Sequence, residues 1–168
     1  LLAEAGLPSG FKTTLKVIPT FPTMVAGAQV IAAQLKKIGV DAQIIQEEYG
    51  VWIKAITKPT FDFDLTMNIT NGDADPDSLL YRRFHSVEKQ WNNDGDPDID
   101  ALLDQGKLTV DQAKRKDVYD KVQRLMVERA IQIWTFAPDM IDVTQSYVHY
   151  PQHFTTNYYG FRTVWLER

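Results

Sequence analysis

The feature that most constrains the fold is a strand–helix–strand pattern near the start of this 168-residue chain. Residues 12–18, KTTLKVI, alternate polar and apolar side chains and include β-branched residues, which is typical of a strand. Apolar residues then recur at three- and four-residue spacing along VAGAQVIAAQLKKIG, an amphipathic helix that should end at Gly39. VDAQIIQ follows as a second strand. Two strands joined by one helix within about 35 residues predict a βαβ unit, in which the strands are parallel.

The cleanest alternation in the chain, FDFDLTMNI at residues 61–69, predicts a third strand. Its apolar side chains should share one face, and its polar side chains, ending with Asn68, should share the other. In open α/β sheets, ligands bind outside the carboxyl ends of the strands. The loop that begins at Thr70 should therefore lie where a ligand binds. A further strand is expected at IQIWTF, residues 131–136, and another near the end of the chain.

Aspartates crowd the loop after this third strand, TNGDADPDS, and two of them have structural explanations. The pair Asp75–Pro76 is typical of a helix N-cap with proline at the first helical position. Asp77 is favoured in the first helical turn by the helix dipole. The pair Asp96–Pro97 repeats the same helix start. Thr109 with Gln112 should form the capping box of a long helix whose apolar residues share a face.

Capping does not account for Asn68, Asn71 or Asp73. These side chains belong either to a solvated turn or to a site that recognises a polar or cationic group of a ligand. In the second case, we expect Asn71 and Asp73 to face the ligand. Asn68 and Thr70 should follow, because they lie at the carboxyl end of the strand. Trp134 is either a buried core aromatic or a wall on which a ligand stacks.

The acidic loops do not match a calcium-binding loop, although their carboxylates recur at alternate positions. Counting from Asp73, Ser78 stands where a glycine is required and Phe84 where a bidentate glutamate is required. In the second acidic loop, DGDPDID, Ile99 and Gln105 occupy the same two positions. No metal ligand and no cofactor is therefore assigned to this chain.

The sequence does not indicate a catalytic site. The histidines, His85, His149 and His153, are scattered and lack the H-E-x-x-H spacing of a zinc protease. The chain has no cysteine, no serine in a nucleophile-elbow context and no glycine-rich phosphate loop. An enzyme is therefore not expected, and a metal-dependent hydrolase that uses the acidic loops is kept as an alternative.

Charge and composition argue against nucleic acid as a partner and against a membrane span. The net charge is −4 and the basic residues are scattered, whereas phosphate binding needs clustered Lys and Arg. No apolar run approaches the roughly 20 residues that a membrane span requires. A protein-interaction module stays open as a second alternative, because the end of the chain is rich in aromatic residues: Tyr158, Tyr159, Phe161 and Trp165.

Five stretches, in this order and spacing, resemble the extracellular solute-binding proteins of the oligopeptide, dipeptide and nickel class of ABC importers. They are LLAEAGLPSGF, AAQLKKIGVDAQI, FDFDLTMN, DADPDSLL and AKRKDVYDKVQRLMVERAIQIWTF. The resemblance covers nearly the whole chain but only the later part of such a protein. It implies that residues 1–168 are the C-terminal lobe of a class II clamshell of the periplasmic-binding-protein type, with a mainly parallel sheet flanked by helices. The first residues fit this implication, because they are expected to be the end of a helix closed by Gly6.

The resemblance also implies a function and a set of partners. A peptide or another small polar solute is captured between two lobes and delivered to an ABC permease in the membrane, and no chemistry is performed. The partners would be that solute, the permease and an N-terminal lobe of the same protein. The location would be the periplasm or the extracellular face of the cytoplasmic membrane.

The segment before the Asp-Pro pair departs from the pattern of the peptide-binding members. Those members often carry a tryptophan and an aspartate there, and the aspartate meets the amino group of the ligand. Counted back from Asp75, the corresponding places hold Ile69 and Gly72, and Asp73 is one position away. Sugars, opines and glutathione-like molecules therefore stay open as solutes beside peptides.

Overall fold

The computed structural model describes residues 1–57, 59–70, 75–88, 95–137, 141, 143–150 and 164–167. The chain divides into two units, Leu1–Thr70 and Asn71–Arg168, and each unit is described by itself. The first unit contains a parallel sheet with helices, and the described part of the second is mainly helical. The α/β class predicted from the sequence is therefore confirmed.

The first unit is built on a three-stranded parallel sheet in the order β2–β1–β3. Its elements are β1 (Phe11–Val17), α1 (Pro22–Lys36), β2 (Val40–Gln46), α2 (Tyr49–Ile56) and β3 (Leu65–Thr66). β1 and β2 pair along their whole lengths, from Phe11 opposite Val40 to Val17 opposite Gln46. Because α1 is the crossover between these parallel strands, the predicted βαβ unit is confirmed.

The hydrophobic core of the first unit follows the alternation of β1. Leu15 and Val17 are buried, whereas Lys16 between them is only partly buried. All the other elements except the two-residue β3 contribute buried apolar side chains, together with the residues that follow β1 and β3: Ile18, Met24, Ala28, Val40, Ala42, Trp52, Ala55, Ile56 and Met67. Burying each large apolar side chain contributes about 1.5–3 kcal/mol, so the period of the sequence selects which face of each element turns inward.

The first residues have the hydrogen bonding of a helix C-terminus. The N–H of Leu7 donates to the carbonyl of Leu2, and the N–H of Gly6 donates to the carbonyl of Ala3. Gly6 has a φ of 78°. These two bonds around a left-handed glycine form a Schellman motif, the pattern that commonly closes a helix, but residues 2–6 themselves form a turn and not a helix.

Gly10 and Gly39 meet where β1 and β2 begin. Their φ angles are 76° and 87°, which lie in the left-handed region that glycine adopts at little cost. The backbones approach so closely that a Cβ at position 10 would lie 1.8 Å from the Gly39 carbonyl oxygen. The N–H of Phe11 donates to that same oxygen at 3.2 Å. The two glycines therefore bring the amino ends of β1 and β2 together.

β3 is much shorter than the nine-residue strand predicted over residues 61–69, because it pairs with β1 at only two positions. Phe61 has a φ of 41°, and the N–H groups of Phe61 and Asp62 donate to carbonyls at the end of α2. Next, the side chain of Asp64 accepts the N–H of Thr14 at 2.8 Å, in place of a backbone carbonyl. The turn after α2 and this carboxylate thus replace the first half of the predicted strand.

Among its described residues, the second unit has three helices that share one hydrophobic core, and two short antiparallel strands. Its elements are α3 (Pro76–Phe84), α4 (Pro97–Leu108), α5 (Gln112–Glu128), β4 (Val148–His149) and β5 (Trp165–Leu166). The buried residues of the core are Leu80, Phe84, Ile99, Leu103, Tyr119, Val122 and Met126. The long helix with one apolar face and the short strand near the end of the chain are both confirmed. Of the helices that the structure describes, none has the length and apolar character needed to cross a membrane.

The capping box expected at Thr109 and Gln112 is wrong. The N-cap of α5 is Asp111, whose carboxylate accepts the N–H of Lys114 at 2.9 Å. Thr109 instead ends α4, and its hydroxyl donates to the carbonyl of Gln105 at 2.7 Å. Both residue types cap helices, but the Asp111 carboxylate is an acceptor only, whereas the Thr109 hydroxyl can satisfy a carbonyl at the preceding helix end.

The strand expected at residues 131–136 is also wrong. This segment has no regular structure, and the exposed fractions of Ile133, Trp134 and Phe136 are 78%, 55% and 57%. Ala130, directly before it, has a φ of 49°. A sequence rich in β-branched and aromatic residues forms a strand only beside another strand, and no strand of the described residues pairs with this segment.

We predict that Gly10→Ala destabilises the protein much more than Gly6→Ala. Both positions need a positive φ, which costs alanine about 1 kcal/mol. Only at Gly10 does the added Cβ meet backbone, since no described atom lies within 4 Å of a Cβ at Gly6. Urea unfolding followed by circular dichroism should show a loss of about 1 kcal/mol for Gly6→Ala and roughly 3 kcal/mol or more for Gly10→Ala. Equal losses would contradict the close approach of Gly10 and Gly39.

Candidate functional site

The carboxyl edge of the parallel sheet is organised around the backbone of Lys16, the next-to-last residue of β1. Its carbonyl oxygen accepts two hydrogen bonds from the end of β3, one from the Thr66 hydroxyl at 3.0 Å and one from the Met67 N–H at 3.2 Å. The Thr66 hydroxyl oxygen also accepts the indole N–H of Trp52 at 2.9 Å. Trp52 is buried in α2, with 2% of its surface exposed. These contacts tie the end of β3 to both β1 and α2.

The side chain of Lys16 joins the other connections at this edge. Its ammonium group lies 3.3 Å from Glu47, directly after β2, and 3.6 Å from Asp62, before β3. The Lys16 and Glu47 side chains are mostly buried, with 12% and 17% of their surfaces exposed. Burial of two opposite charges is tolerated because they are paired. Lys16 therefore contacts the segments next to both neighbouring strands.

Asp64 supplies a further link between β1 and the segment before β3. One carboxylate oxygen accepts the hydroxyl and the N–H of Thr14 at 2.7 and 2.8 Å, and the hydroxyl of Thr13 at 3.2 Å. The hydrogen bonds from the Thr14 side chain, the Thr14 backbone and the Thr13 side chain hold the pKa of Asp64 below its usual value. The polar residues of the FDFDLT stretch thus connect this segment to its neighbours: Asp62 and Asp64 contact β1, and Thr66 contacts both β1 and α2.

The ligand-facing residues expected from the sequence fall partly on this edge. Asn68 and Thr70 are half-buried and lie two and four residues beyond Thr66, the last residue of β3. Asn71 and Asp73 lie outside the described residues. Trp134 belongs to the second unit and is 55% exposed, so it is not the buried core aromatic that was one of its two interpretations.

Asp75, in the acidic loop, has the structural role that its sequence context predicts. It is the N-cap of α3, and its carboxylate accepts the N–H of Asp77 at 2.8 Å. The guanidinium of Arg115 also donates to both of its carboxylate oxygens, at 2.7 and 2.8 Å. The hydrogen bonds from Arg115 and from the Asp77 backbone lower the pKa of the Asp75 carboxyl from its ordinary value of 3.8.

Arg115 and Tyr119, one turn apart on α5, join all three helices near this N-cap. The Nε of Arg115 donates to the carbonyl of Gly106 in α4 at 3.0 Å, and the Tyr119 hydroxyl donates to Asp77 of α3 at 3.2 Å. Burial and the neighbouring Asp77 charge raise the pKa of Tyr119 to about 12. A Cβ at Gly106 would lie 2.8 Å from the Tyr119 ring, so the small residue lets α4 and α5 approach closely.

The second acidic loop is held by the other end of the same helix. Asp96 is the N-cap of α4, where it accepts the N–H groups of Asp98 and Ile99. Arg129, at the C-cap of α5, donates to the carboxylates of both Asp96 and Asp98. Burial opposes the ionisation of Asp96, but the hydrogen bonds from Arg129 and from these backbone N–H groups outweigh it and lower the pKa. Asp100 is likewise engaged, since it accepts the Ser86 N–H at 2.9 Å.

The chemistry that these groups can perform is therefore limited. Asp75 and Asp96 fill N-cap positions and pair with Arg115 and Arg129, so their oxygens are engaged at two separate helix starts. Among the residues that the structure describes, no three histidine, aspartate or glutamate side chains come close enough to hold a metal ion. The polar groups of the sheet edge can instead donate and accept hydrogen bonds at fixed positions.

Several residues that organise the sites were not found by sequence reasoning. Lys16, Trp52 and Thr66 lie far apart in the chain, and only the strands that contain Lys16 and Thr66 were predicted. Arg115 and Arg129 were overlooked as helix surface charges. Their positions could have indicated that they pair with the acidic loops. Each arginine lies at an end of α5, and each acidic loop precedes a helix that packs in the same core as α5.

The chain has relatives among known proteins. A family model described as "Bacterial extracellular solute-binding proteins, family 5 Middle" matches residues 1–91. The "Di/tripeptide-binding protein 3" of Pseudomonas aeruginosa (strain UCBPP-PA14) is 30% identical over 136 residues, which cover 77% of this chain and 25% of that protein. The chain thus spans about a quarter of the length of the curated relatives that it matches.

Solved structures share the fold. A dipeptide-binding protein from Pseudoalteromonas sp. SM9913, in complex with Met-Leu, superposes with a TM-score of 0.69 at 25% identity and covers 77% of this chain and 27% of that one. The binding protein AgaA from A. tumefaciens R10, in complex with agropinic acid, gives a TM-score of 0.66 at 27% identity with the same coverage.

We predict that the Asp75–Arg115 ion pair contributes stability above pH 4 that is lost in acid. Because the folded pKa of Asp75 is lowered from 3.8, the contribution is complete above that value and disappears as pH falls through the folded pKa. Asp75→Asn keeps a capping oxygen but no charge, so its deficit in unfolding free energy should shrink below pH 4. Asp75→Ala should lose about 1 kcal/mol more at neutral pH, because the cap is gone.

The control for this prediction is Arg115→Gln, which removes the same ion pair from the other side. Combined with Asp75→Asn, it should cost less than the sum of the two single changes, because both abolish one interaction. Urea unfolding from pH 2.5 to pH 7 measures each variant. A deficit for Asp75→Asn that does not change across this range would contradict the role of the pair.

Proposed function

Since this chain belongs to the bacterial extracellular solute-binding proteins of family 5, we propose that it is part of the solute-binding component of an ABC importer. The family match bears out the resemblance carried by the motifs of the sequence. In this proposal the protein captures a peptide or another small polar solute and delivers it to a membrane permease. It performs no chemistry on the solute, which agrees with relatives that are named as binding proteins.

The observation that carries the proposal is the family match over residues 1–91, which contain the whole parallel sheet. The carboxyl edge of such a sheet is where ligands bind in open α/β folds. The segment that leaves β3 at this edge begins with Asn68 and Thr70, both half-buried. We propose that Asn68, Thr70, Asn71 and Asp73 supply the polar contacts to the solute, and that Trp134, which is half exposed, supplies a stacking surface.

The proposed site needs a second wall. Small-molecule sites bury most of their ligand, and a single sheet edge leaves one side of it in solvent. We therefore propose that residues 1–168 are the C-terminal lobe of a two-lobed clamshell, and that an N-terminal lobe of the same protein closes over the solute. The chain spans a quarter of its curated relatives, which is consistent with a missing lobe. The complete protein would act in the periplasm or on the extracellular face of the cytoplasmic membrane.

The solute class rests on the relatives and on the polar character of the edge. One relative is named for di- and tripeptides, and one matched structure holds the dipeptide Met-Leu, whereas another holds agropinic acid. Asp73 is an acidic residue in the segment proposed to face the solute, and it suits the ammonium group of a peptide. A short peptide is therefore the first solute to test, and an opine is the second.

The two alternative functions have less support. A metal-dependent hydrolase would need free carboxylates, but Asp75 and Asp96 already cap helices and pair with arginines. A protein-interaction module would use the aromatic residues near the end of the chain. Of these, Trp165 stacks on His149 with ring centroids 3.8 Å apart, and Tyr158, Tyr159 and Phe161 lie outside the described residues.

We predict that the full-length protein, purified without refolding, carries a small organic molecule. Native mass spectrometry, repeated under denaturing conditions, should show an added mass that disappears when the protein unfolds. An added mass that matches calcium and is removed by a chelator would contradict the proposal and favour the metal alternative. A bare protein mass would be followed by titration with a library of dipeptides and opines.

We also predict that Asp73→Asn weakens dipeptide binding by about tenfold or more, because a charge-assisted hydrogen bond contributes about 1.5–3 kcal/mol. Isothermal titration with Met-Leu, the ligand of a matched structure, measures the effect in the full-length protein. Asp41→Asn is the matched control, because Asp41 is an exposed aspartate near the amino end of β2, at the opposite edge of the sheet. Equal affinities for the two variants would remove Asp73 from the proposed site.

A further inference from the structure

We infer that Trp52 and Thr66 are positioning residues that hold the solute-facing segment in its binding geometry. The segment consists of residues 67–70, which follow β3 and include Asn68 and Thr70, two of the polar side chains proposed to bind the solute. The expected effect on solute binding rests on the proposed function. The hydrogen bonds that hold the end of β3 do not depend on that proposal. Neither residue needs to touch the solute to play this role.

β3 holds this segment with very little backbone pairing. β3 pairs with β1 at only two positions, Leu65 opposite Leu15 and Thr66 opposite Lys16. The last backbone bond before the segment departs is the one from the Met67 N–H to the Lys16 carbonyl, 3.2 Å long. A strand this short is weakly specified by backbone pairing alone, so side chains must fix where it ends.

Thr66 and Trp52 supply such a side-chain constraint. The Thr66 hydroxyl donates to the same Lys16 carbonyl at 3.0 Å and accepts the Trp52 indole N–H at 2.9 Å. The hydroxyl therefore has both a donor and an acceptor role, and its orientation is determined. Loss of the Thr66 hydroxyl would take this acceptor away from the indole N–H of the buried Trp52 and this donor away from the Lys16 carbonyl, so the end of β3 would be held less firmly.

Trp52, which anchors the Thr66 hydroxyl, is itself held rigidly by packing. Trp52 is 2% exposed, and Ala55 and Ile56 beside it on α2 are also buried. α2 is capped by Glu48, whose carboxylate accepts the N–H groups of Gly50 and Val51 at 2.6 and 3.3 Å. The large indole ring can reach only a few orientations within a packed core, so its N–H points to a fixed place. The position of the end of β3 is thus fixed by a contact with α2 as well as by its pairing with β1.

The consequence for binding follows from the short distance along the chain. Asn68 lies two residues after Thr66, so a displacement of Thr66 is transmitted to it with little loss. A binding site needs its polar groups within about 0.5 Å of the productive geometry, and held there by packed neighbours. Without the Trp52–Thr66 bond, the segment should sample more conformations, and binding should become weaker because it must first order them.

The test uses the full-length protein and a set of isosteric variants. Thr66→Val keeps the shape and removes the hydroxyl, Thr66→Ser restores a hydroxyl, and Trp52→Phe removes the indole N–H. Val40→Ala is the control, because Val40 is a buried residue of the same sheet at its opposite, amino edge. Three quantities are measured for each: the melting temperature, the Kd for Met-Leu, and the hydrogen exchange rate of the Met67 amide without solute.

We expect Thr66→Val and Trp52→Phe to raise the Kd by about three- to tenfold and to accelerate Met67 exchange by a similar factor. Thr66→Ser should recover most of both effects. The double variant should be close to the worse single variant, because both changes break one interaction. Val40→Ala should lower the melting temperature while leaving the Kd and the Met67 exchange rate unchanged.

Two results would overturn the inference. If Thr66→Val lowers the melting temperature but leaves the Kd and Met67 exchange as in wild type, the bond is merely structural. If Val40→Ala raises the Kd as much as Thr66→Val, the effect on binding is a general consequence of destabilisation. A wild-type protein that binds neither peptides nor opines would instead refute the proposed function, and the exchange rates alone would then decide whether the bond positions the segment.

Discussion

The parallel pairing of both neighbours with β1 is the constraint on which the first unit depends. Parallel strands cannot be joined by hairpins, so each connection must carry the chain back to the end of the sheet where the strands begin. The carboxyl ends of the strands therefore meet at one edge, although they are separated by 50 residues between Lys16 and Thr66. Lys16 serves that edge twice, since its carbonyl holds the end of β3 and its ammonium group pairs with Glu47.

In the second unit, the partners of the aspartates give these residues a structural role. Aspartates at alternate positions can bind a metal, catalyse a reaction or cap a helix, and their spacing alone does not discriminate among these. The arginines decide, because Arg115 pairs with Asp75 and Arg129 pairs with Asp96. Each pairing places a cation against a carboxylate that already accepts backbone N–H groups, which keeps it ionised. Through these two arginines, α5 stabilises the N-terminal ends of α3 and α4.

A contact of the site could be predicted from the sequence when its two residues lie close together along the chain, and could not when they lie far apart. The N-caps at Asp75 and Asp96 were predictable, because a cap is a contact between residues two or three apart. The boundary at Asp111 was missed by two residues, since Thr109 satisfied the same local rule and used its hydroxyl elsewhere. The bond from Trp52 to Thr66 was not predictable, because neither residue's local pattern indicates its partner.

The sequence by itself determined the existence of the three strands and of the crossover helix in the first unit, the βαβ connection, both Asp-Pro helix starts and the family. These features depend on periodicity, backbone restrictions and contacts within one turn, all of which are readable along the chain. Only the tertiary structure decided that the third strand shrinks to Leu65 and Thr66, that residues 131–136 form no strand, and that arginines pair with the N-cap aspartates of α3 and α4. Those outcomes depend on which groups compete for the same hydrogen bonds once distant segments meet, as Asp64 does when it takes the N–H of Thr14.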